Sequence, residues 1–130
     1  MNIQDTKILI IDDDEIMLKS LKETLINNGF QVLISPDGDA GLVSALNKEP
    51  NLVITDLEMK RVDGIEVLNT IRDDLTWGKN VPIMILTNHE MSDVIKNAIA
   101  PYSPSLYIEK SKVSLENIVE QILNLLKISK

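Results

Sequence analysis

Acidic, hydroxyl and ammonium groups stand in this chain where apolar runs stop. Asp12-Asp13-Asp14 follows Lys7-Ile8-Leu9-Ile10-Ile11, and Asp56 follows Leu52-Val53-Ile54-Thr55. Thr87 follows Ile83-Met84-Ile85-Leu86, Lys110 follows Leu106-Tyr107-Ile108-Glu109, and Asp63-Gly64 lies just beyond Asp56. If the runs are neighbouring strands of one parallel sheet, these groups converge at its carboxyl edge, where open α/β sheets bind ligands. Carboxylates with one lysine and one threonine suit a hard cation and a phosphoryl group. Acyl transfer would need a Ser-His or Cys-His pair, which this pattern lacks.

The elements that must position these groups are legible. The runs 7–11, 52–55, 83–86 and 106–108 do not alternate with polar residues, as in strands covered on both faces. Gln31-Val32-Leu33-Ile34 is a weaker fifth strand. Leu18, Leu21 and Leu25 share one helical face; so do Met91, Val94, Ile95, Ala98 and Ile99, and so do Leu115, Ile118, Val119, Ile122 and Leu126. Segments 39–47 and 63–72 are more weakly periodic. Asp14 can cap the first helix, Gly29 can close it in a left-handed conformation, and Ser114 can cap the last, with Val113 stapled onto Ile118. Five alternations predict a doubly wound α/β domain with right-handed crossovers. Pro101-Tyr102-Ser103-Pro104 reads as a stiff loop.

At 130 residues the chain fits one domain, expected over 1–130 with its core at about 7–126. A formal charge of −7 argues against nonspecific binding to nucleic acid or anionic membranes. Absence of cysteine excludes disulfide and thiolate chemistry. No signal peptide is visible at Met1–Asp5, and no apolar run approaches the roughly 18 residues of a membrane span. The expected location is the cytoplasm.

Each polar cluster alone has an ordinary explanation. Acids favour a first helical turn, where they face the positive end of the macrodipole. Thr87 could be a turn residue, Lys110 a solvated surface lysine and His89 a helix-capping residue. The order and spacing of the whole set are less easily dismissed.

That set, from Ile-Leu-Ile-Ile-Asp-Asp-Asp at 8–14 through Leu-Val-Ile-Thr-Asp-Leu-Glu-Met at 52–59, Val-Asp-Gly at 62–64 and Pro-Ile-Met-Ile-Leu-Thr at 82–87 to Tyr-Ile-Glu-Lys at 107–110, resembles the receiver domain of two-component response regulators. The resemblance implies a flavodoxin-like (βα)5 three-layer sandwich with a five-stranded parallel sheet in the order 2-1-3-4-5. It implies that Asp56 is the phosphoacceptor. Asp12, Asp13, Asp56 and the backbone carbonyl of Glu58 would hold Mg²⁺, and Thr87 and Lys110 would bind phosphoryl oxygens. Tyr107 would be the aromatic switch, turning inward as Thr87 is drawn to the phosphate. Glu58 and His89 would tune the lifetime of the phosphoryl group. The implied donor is a histidine kinase or histidine phosphotransfer protein. The implied output surface is the fourth and fifth helices with the fifth strand, meeting a downstream protein or attached domain or forming a homodimer on activation. Such a domain is a signalling switch rather than a metabolic enzyme.

Departures from the family pattern are Lys60 where proline is usual after Met59, Asn88 where a small residue follows the threonine, Ser111 after Lys110 in place of proline, and the loop 100–105. A non-proline cis bond costs about 2.5–4 kcal/mol, so Lys110-Ser111 is expected to be trans or strained. Asn88 is expected to narrow access for the donor. One competing reading is a pseudo-receiver acting as a phosphorylation-independent interaction module. Another is a phosphatase with an aspartyl nucleophile, which would need a cap that 130 residues cannot supply.

Overall fold

A computed structural model describes residues 2–129; Met1 and Lys130, the ends of the expected domain span, lie outside the described residues. Five parallel strands, β1 (Lys7–Ile11), β2 (Gln31–Ser35), β3 (Leu52–Thr55), β4 (Ile83–Thr87) and β5 (Leu106–Glu109), form one sheet in the order β2-β1-β3-β4-β5. Five helices intervene or follow: α1 (Glu15–Asn27), α2 (Gly38–Lys48), α3 (Gly64–Arg72), α4 (Asp93–Ile99) and α5 (Leu115–Leu126). This is the expected doubly wound architecture.

The uninterrupted apolar runs have a direct cause. Alternate residues of a strand point to opposite faces. Ile8 and Ile10 therefore join one cluster with α1 and α5, whereas Leu9 and Ile11 join another with α2, α3 and Ile99 of α4. Both faces are covered, so neither parity can be polar. Gln31–Ile34 is the exception at the sheet edge: Gln31 and Ile34 are exposed, which explains its weaker pattern.

Caps fall where the polar residues suggested. Asp14 accepts hydrogen bonds from the Ile16 and Met17 amides, Ser114 accepts one from Asn117 N, and Gly29 adopts φ +99° after α1. Val113 and Ile118 belong to one cluster. The fourth helix needs correction. Ser92 accepts a hydrogen bond from Ile95 N and sets the start at Asp93, so Met91 lies before the helix. Seven residues give about two turns, and only the side bearing Ile95 and Ile99 meets the core, with Val94 79% exposed. Trp77 lies beyond α3, and its indole N–H donates to Pro50 O at 2.7 Å.

One residue that the pattern did not single out secures the loops behind the sheet. Arg72, last in α3, donates through Nε to Tyr102 O (2.7 Å) and through Nη1 to Gly78 O (2.8 Å) and Val81 O (2.7 Å). Nη2 reaches Ser103 O at 3.3 Å. The Pro101 loop is thus a 3-10 turn (Ala100–Tyr102) ended by Ser103 at φ +48° and tied to α3. Because no lysine offers this planar fork, Arg72→Lys should lower stability by roughly 1.5–3 kcal/mol, the range for hydrogen bonds to charged groups. Urea unfolding of the two proteins checks it, and equal midpoints would show that the fork carries no stability.

Candidate functional site

The register puts the chemistry in one row. Ile11 pairs with Thr55 across β1 and β3, so Asp12 and Asp56 leave adjacent strands side by side. Thr87 pairs with Glu109 across β4 and β5, so Lys110 emerges one residue beyond it. The row lies at the carboxyl edge where the order turns from β2-β1 to β3, the switch point at which such sheets bind ligands.

The Lys110 ammonium is the centre of the arrangement. Its Nζ lies 2.7 Å from Asp12 Oδ2 and 2.9 Å from Asp56 Oδ2, with all three side chains almost wholly buried. Asp56 Oδ1 accepts hydrogen bonds from Leu57 N (2.7 Å) and Glu58 N (3.3 Å). Asp12 Oδ1 accepts one from Asp14 N at 2.9 Å. Desolvation is the largest influence on both Asp12 and Lys110, yet both values rise. The lysine has two carboxylates to hold its proton, and together they outweigh its burial. For Asp12 burial itself pushes towards the neutral form, outweighing the hydrogen bonds from Lys110 and Asp14 N, and Asp56 adds a smaller repulsion in the same direction. Two acids share one cation, and the cleft is short of positive charge.

A cleft of about 270 Å³ opens beside this centre, lined by Asp13, Asp14, Asp56, Glu58, Thr87, Asn88 and Lys110. Asp12 is not in that wall; it stands behind it. The acidic triplet has divided its labour: Asp12 holds Lys110, Asp13 faces the cleft, and Asp14 caps α1 while also lining the cleft. Lys60 N donates to Asp13 Oδ2 at 3.3 Å, a hydrogen bond that a proline at that position could not make. Gly64 fits because α3 starts against the end of β3. A Cβ there would lie 2.1 Å from Asp56 O, and Asp63 caps the helix through Glu66 N at 2.9 Å. The Lys110-Ser111 peptide is trans and opens a 3-10 turn at Lys110–Lys112.

Thr87 is fully buried, and its Oγ1 accepts a long hydrogen bond (3.4 Å) from His89 N. Tyr107 is half-buried against the cluster around Val53 and Ile85, and its hydroxyl donates to His89 O at 2.8 Å. His89 Nε2 meets Glu58 Oε2 at 2.5 Å. The resemblance named Glu58 and His89 together as tuning residues, but their direct contact had no signal in the chain because 31 residues part them. Arg72 was missed because a basic residue in a last helical turn looks like ordinary dipole complementation.

No group of three or more acid, histidine or cysteine side chains among the described residues is gathered as a metal cage. Mg²⁺ does not require one, since it binds through one or two carboxylates and keeps several waters. Asp13 and Asp56 lining one cleft, with oxygen donors only, fit that demand.

A five-stranded parallel sheet in the order β2-β1-β3-β4-β5, with acids and a buried lysine at its switch point, is the architecture of a receiver domain. The model of the response regulator receiver domain matches residues 8–123, and the chain belongs to that family. It is therefore a receiver domain of two-component signalling. The response regulator MprA of Mycobacterium sp. (strain KMS) is 37% identical over 81 residues, covering 62% of this chain and 34% of that protein. The chain thus spans about a third of the length of the relatives it matches. A CheY-like receiver domain protein from Methanospirillum hungatei JF-1 superposes with a TM-score of 0.85 at 25% identity, covering 94% of each chain. The receiver domain of sensor histidine kinase PA1611 from Pseudomonas aeruginosa PAO1, with a magnesium ion coordinated in its active site cleft, has a TM-score of 0.83 at 20% identity. It covers 94% of this chain and 98% of its own.

The buried cation sets a pH dependence. The Lys110 value is raised in the folded state above the ordinary 10.5, so its stabilisation is fully present below that value and is lost as pH rises through the folded value. The Tyr107 value is also raised, chiefly by burial, and acts in the same direction. Denaturant midpoints should therefore fall as pH rises past the ordinary tyrosine and lysine values, and fall less in Lys110→Gln, which keeps Tyr107. Parallel curves would remove the lysine from the account.

Proposed function

We propose that this receiver domain accepts a phosphoryl group on Asp56 and thereby switches its surface. One observation carries the reading: Asp56 is 6% exposed, held by Lys110 at 2.9 Å, and opens into the same cleft as Asp13 and Thr87. Phosphoryl transfer needs an in-line nucleophile and neutralisation of charge on the equatorial oxygens. A carboxylate oxygen of Asp56 attacks phosphorus, the bond to the donor's imidazole nitrogen breaks with its electron pair on that nitrogen, and an acyl phosphate remains. Lys110 is placed to follow the charge from the carboxylate to a phosphoryl oxygen, with Asp12 fixing its direction. The Thr87 hydroxyl can donate to another oxygen once it releases the His89 amide. Its displacement is the event that Tyr107, one strand away, can sense.

Mg²⁺ supplies charge neutralisation at the phosphoryl oxygens when bound. Asp13, Asp56 and the Glu58 carbonyl are the groups to hold it, and Asp12 supports them from behind through Lys110 and, in the fuller ligand set the family implies, as a further acid. The magnesium in the PA1611 receiver cleft supports this choice of ion. Glu58 lines the cleft and His89 is paired with it, so the two can govern water access to the acyl phosphate. The donor fitting this chemistry is a phosphohistidine of a kinase or phosphotransfer protein in the cytoplasm. The output passes through α4, β5 and α5 to a downstream protein, an attached domain or a second copy. No helix among the described residues is long and apolar enough to cross a membrane.

Mass spectrometry after incubation with acetyl phosphate and Mg²⁺ should show one added phosphate, absent in Asp56→Asn. A chain that stays unmodified is a pseudo-receiver, and phosphate retained in the variant moves the acceptor elsewhere. The shortage of cations gives a second expectation. A ligand that binds only the folded state raises its stability, so melting temperature should climb with millimolar Mg²⁺ by a few degrees. Asp13→Ala should abolish the rise; an undiminished response would place the metal at other groups.

A further inference from the structure

We infer that His89 is a positioning residue that relays the state of the acceptor loop to Tyr107 by a route independent of the Thr87 hydroxyl. The inference rests on Asp56 as acceptor and adds a second line of transmission from it. Each step is a contact. Glu58 N donates to Asp56 Oδ1 (3.3 Å), so any load on the Asp56 carboxylate is felt by the Glu58 backbone. The Glu58 carboxylate meets the His89 ring at 2.5 Å, joining the loop after β3 to the loop after β4. His89 O then accepts the Tyr107 hydroxyl at 2.8 Å, joining that loop to β5.

His89 therefore serves three neighbours with three different groups. Its amide goes to Thr87, its ring to Glu58 and its carbonyl to Tyr107. The segment bearing it is easily displaced, since residues 88–94 are exposed and α4 begins only at Asp93. Two anchors on one short segment mean that movement of either changes what its carbonyl offers to Tyr107. A position two residues beyond Thr87 is placed for this, because the backbone must pass it before the helix can start.

The strength of the link follows from its exposure. The Glu58 and His89 side chains are 76% and 46% exposed, and polar contacts so open to solvent alter an equilibrium by about 1.4-fold to 5-fold. Breaking the link should bias the seating of Tyr107 by that factor without unfolding anything. A chain of contacts is not itself coupling, so the test is a double-mutant cycle.

Amide and ring signals of Tyr107 are recorded by NMR in the apo protein, in Glu58→Ala, in His89→Ala and in the double variant, with melting temperatures as a folding control. Glu58→Ala should move the Tyr107 signals, whereas the same change made on His89→Ala should move them little. Glu58→Gln, which can still hydrogen-bond the ring, should restore most of the parent position. Unmoved Tyr107 signals in Glu58→Ala would overturn the relay. So would an equal effect with and without the His89 ring, which would mark a through-space field. No phosphoryl group enters these measurements, so their failure leaves Asp56 as acceptor untouched. Loss of phosphorylation would likewise leave the apo coupling readable.

Discussion

One ammonium between two buried carboxylates organises this domain. Lys110 reaches from the last strand across the sheet edge to Asp12 and Asp56, which leave two strands on its other side. The attraction draws β5 and the β1–β3 pair into one frame around the cleft. It also leaves an unbalanced negative charge, since two acids answer one base in a setting where desolvation penalises each ionised group. The price is stability in the resting state, and the return is a pocket whose electrostatics improve when further positive charge arrives with a ligand.

Much of this was visible in the linear chain because the sheet is buried on both sides. A strand covered on both faces has to be apolar throughout, so the first polar residue after it marks the sheet's edge. Asp12 and Thr87 announced themselves in this way, and Asp56 and Lys110 stand one residue past the same boundary, after Thr55 and Glu109. Their convergence needed strand order as well, which the pattern of elements supplied as a topology rather than as distances. The division among Asp12, Asp13 and Asp14 was not legible, because three consecutive acids look alike until one is buried. The fourth helix was misread at its start because Met91 fits the apolar period, whereas the Ser92 hydroxyl decides where the helix begins. Period alone cannot weigh a cap against a methionine.

Contacts that cross loops were silent in the sequence. Arg72 satisfies four carbonyls from two loops, and Glu58 meets His89 across two strand ends. Neither leaves a periodic trace, since loop residues are chosen by the three-dimensional neighbour and not by the spacing along the chain. The departures from the usual receiver pattern belong here too. Lys60 offers Asp13 an amide hydrogen bond, and Ser111 continues a trans backbone into a 3-10 turn. Both are local solutions in the loops next to Asp13 and Lys110.

The brevity of α4 has a consequence for how the molecule breathes. Its seven residues bury Ile99 fully and leave Val94 bare, and Ser92 is its sole side-chain cap. Protein elements open individually, at free energies set by what each one buries. On that scale the segment from Asn88 to Ile99 ranks far below β1, β3 and β4, whose apolar side chains are sealed from water. Amide protons there should trade with solvent through partial openings long before the sheet does. Such a surface can be reshaped by a partner or by a charge in the cleft while the scaffold that aligns Asp12, Asp56 and Lys110 stays fixed.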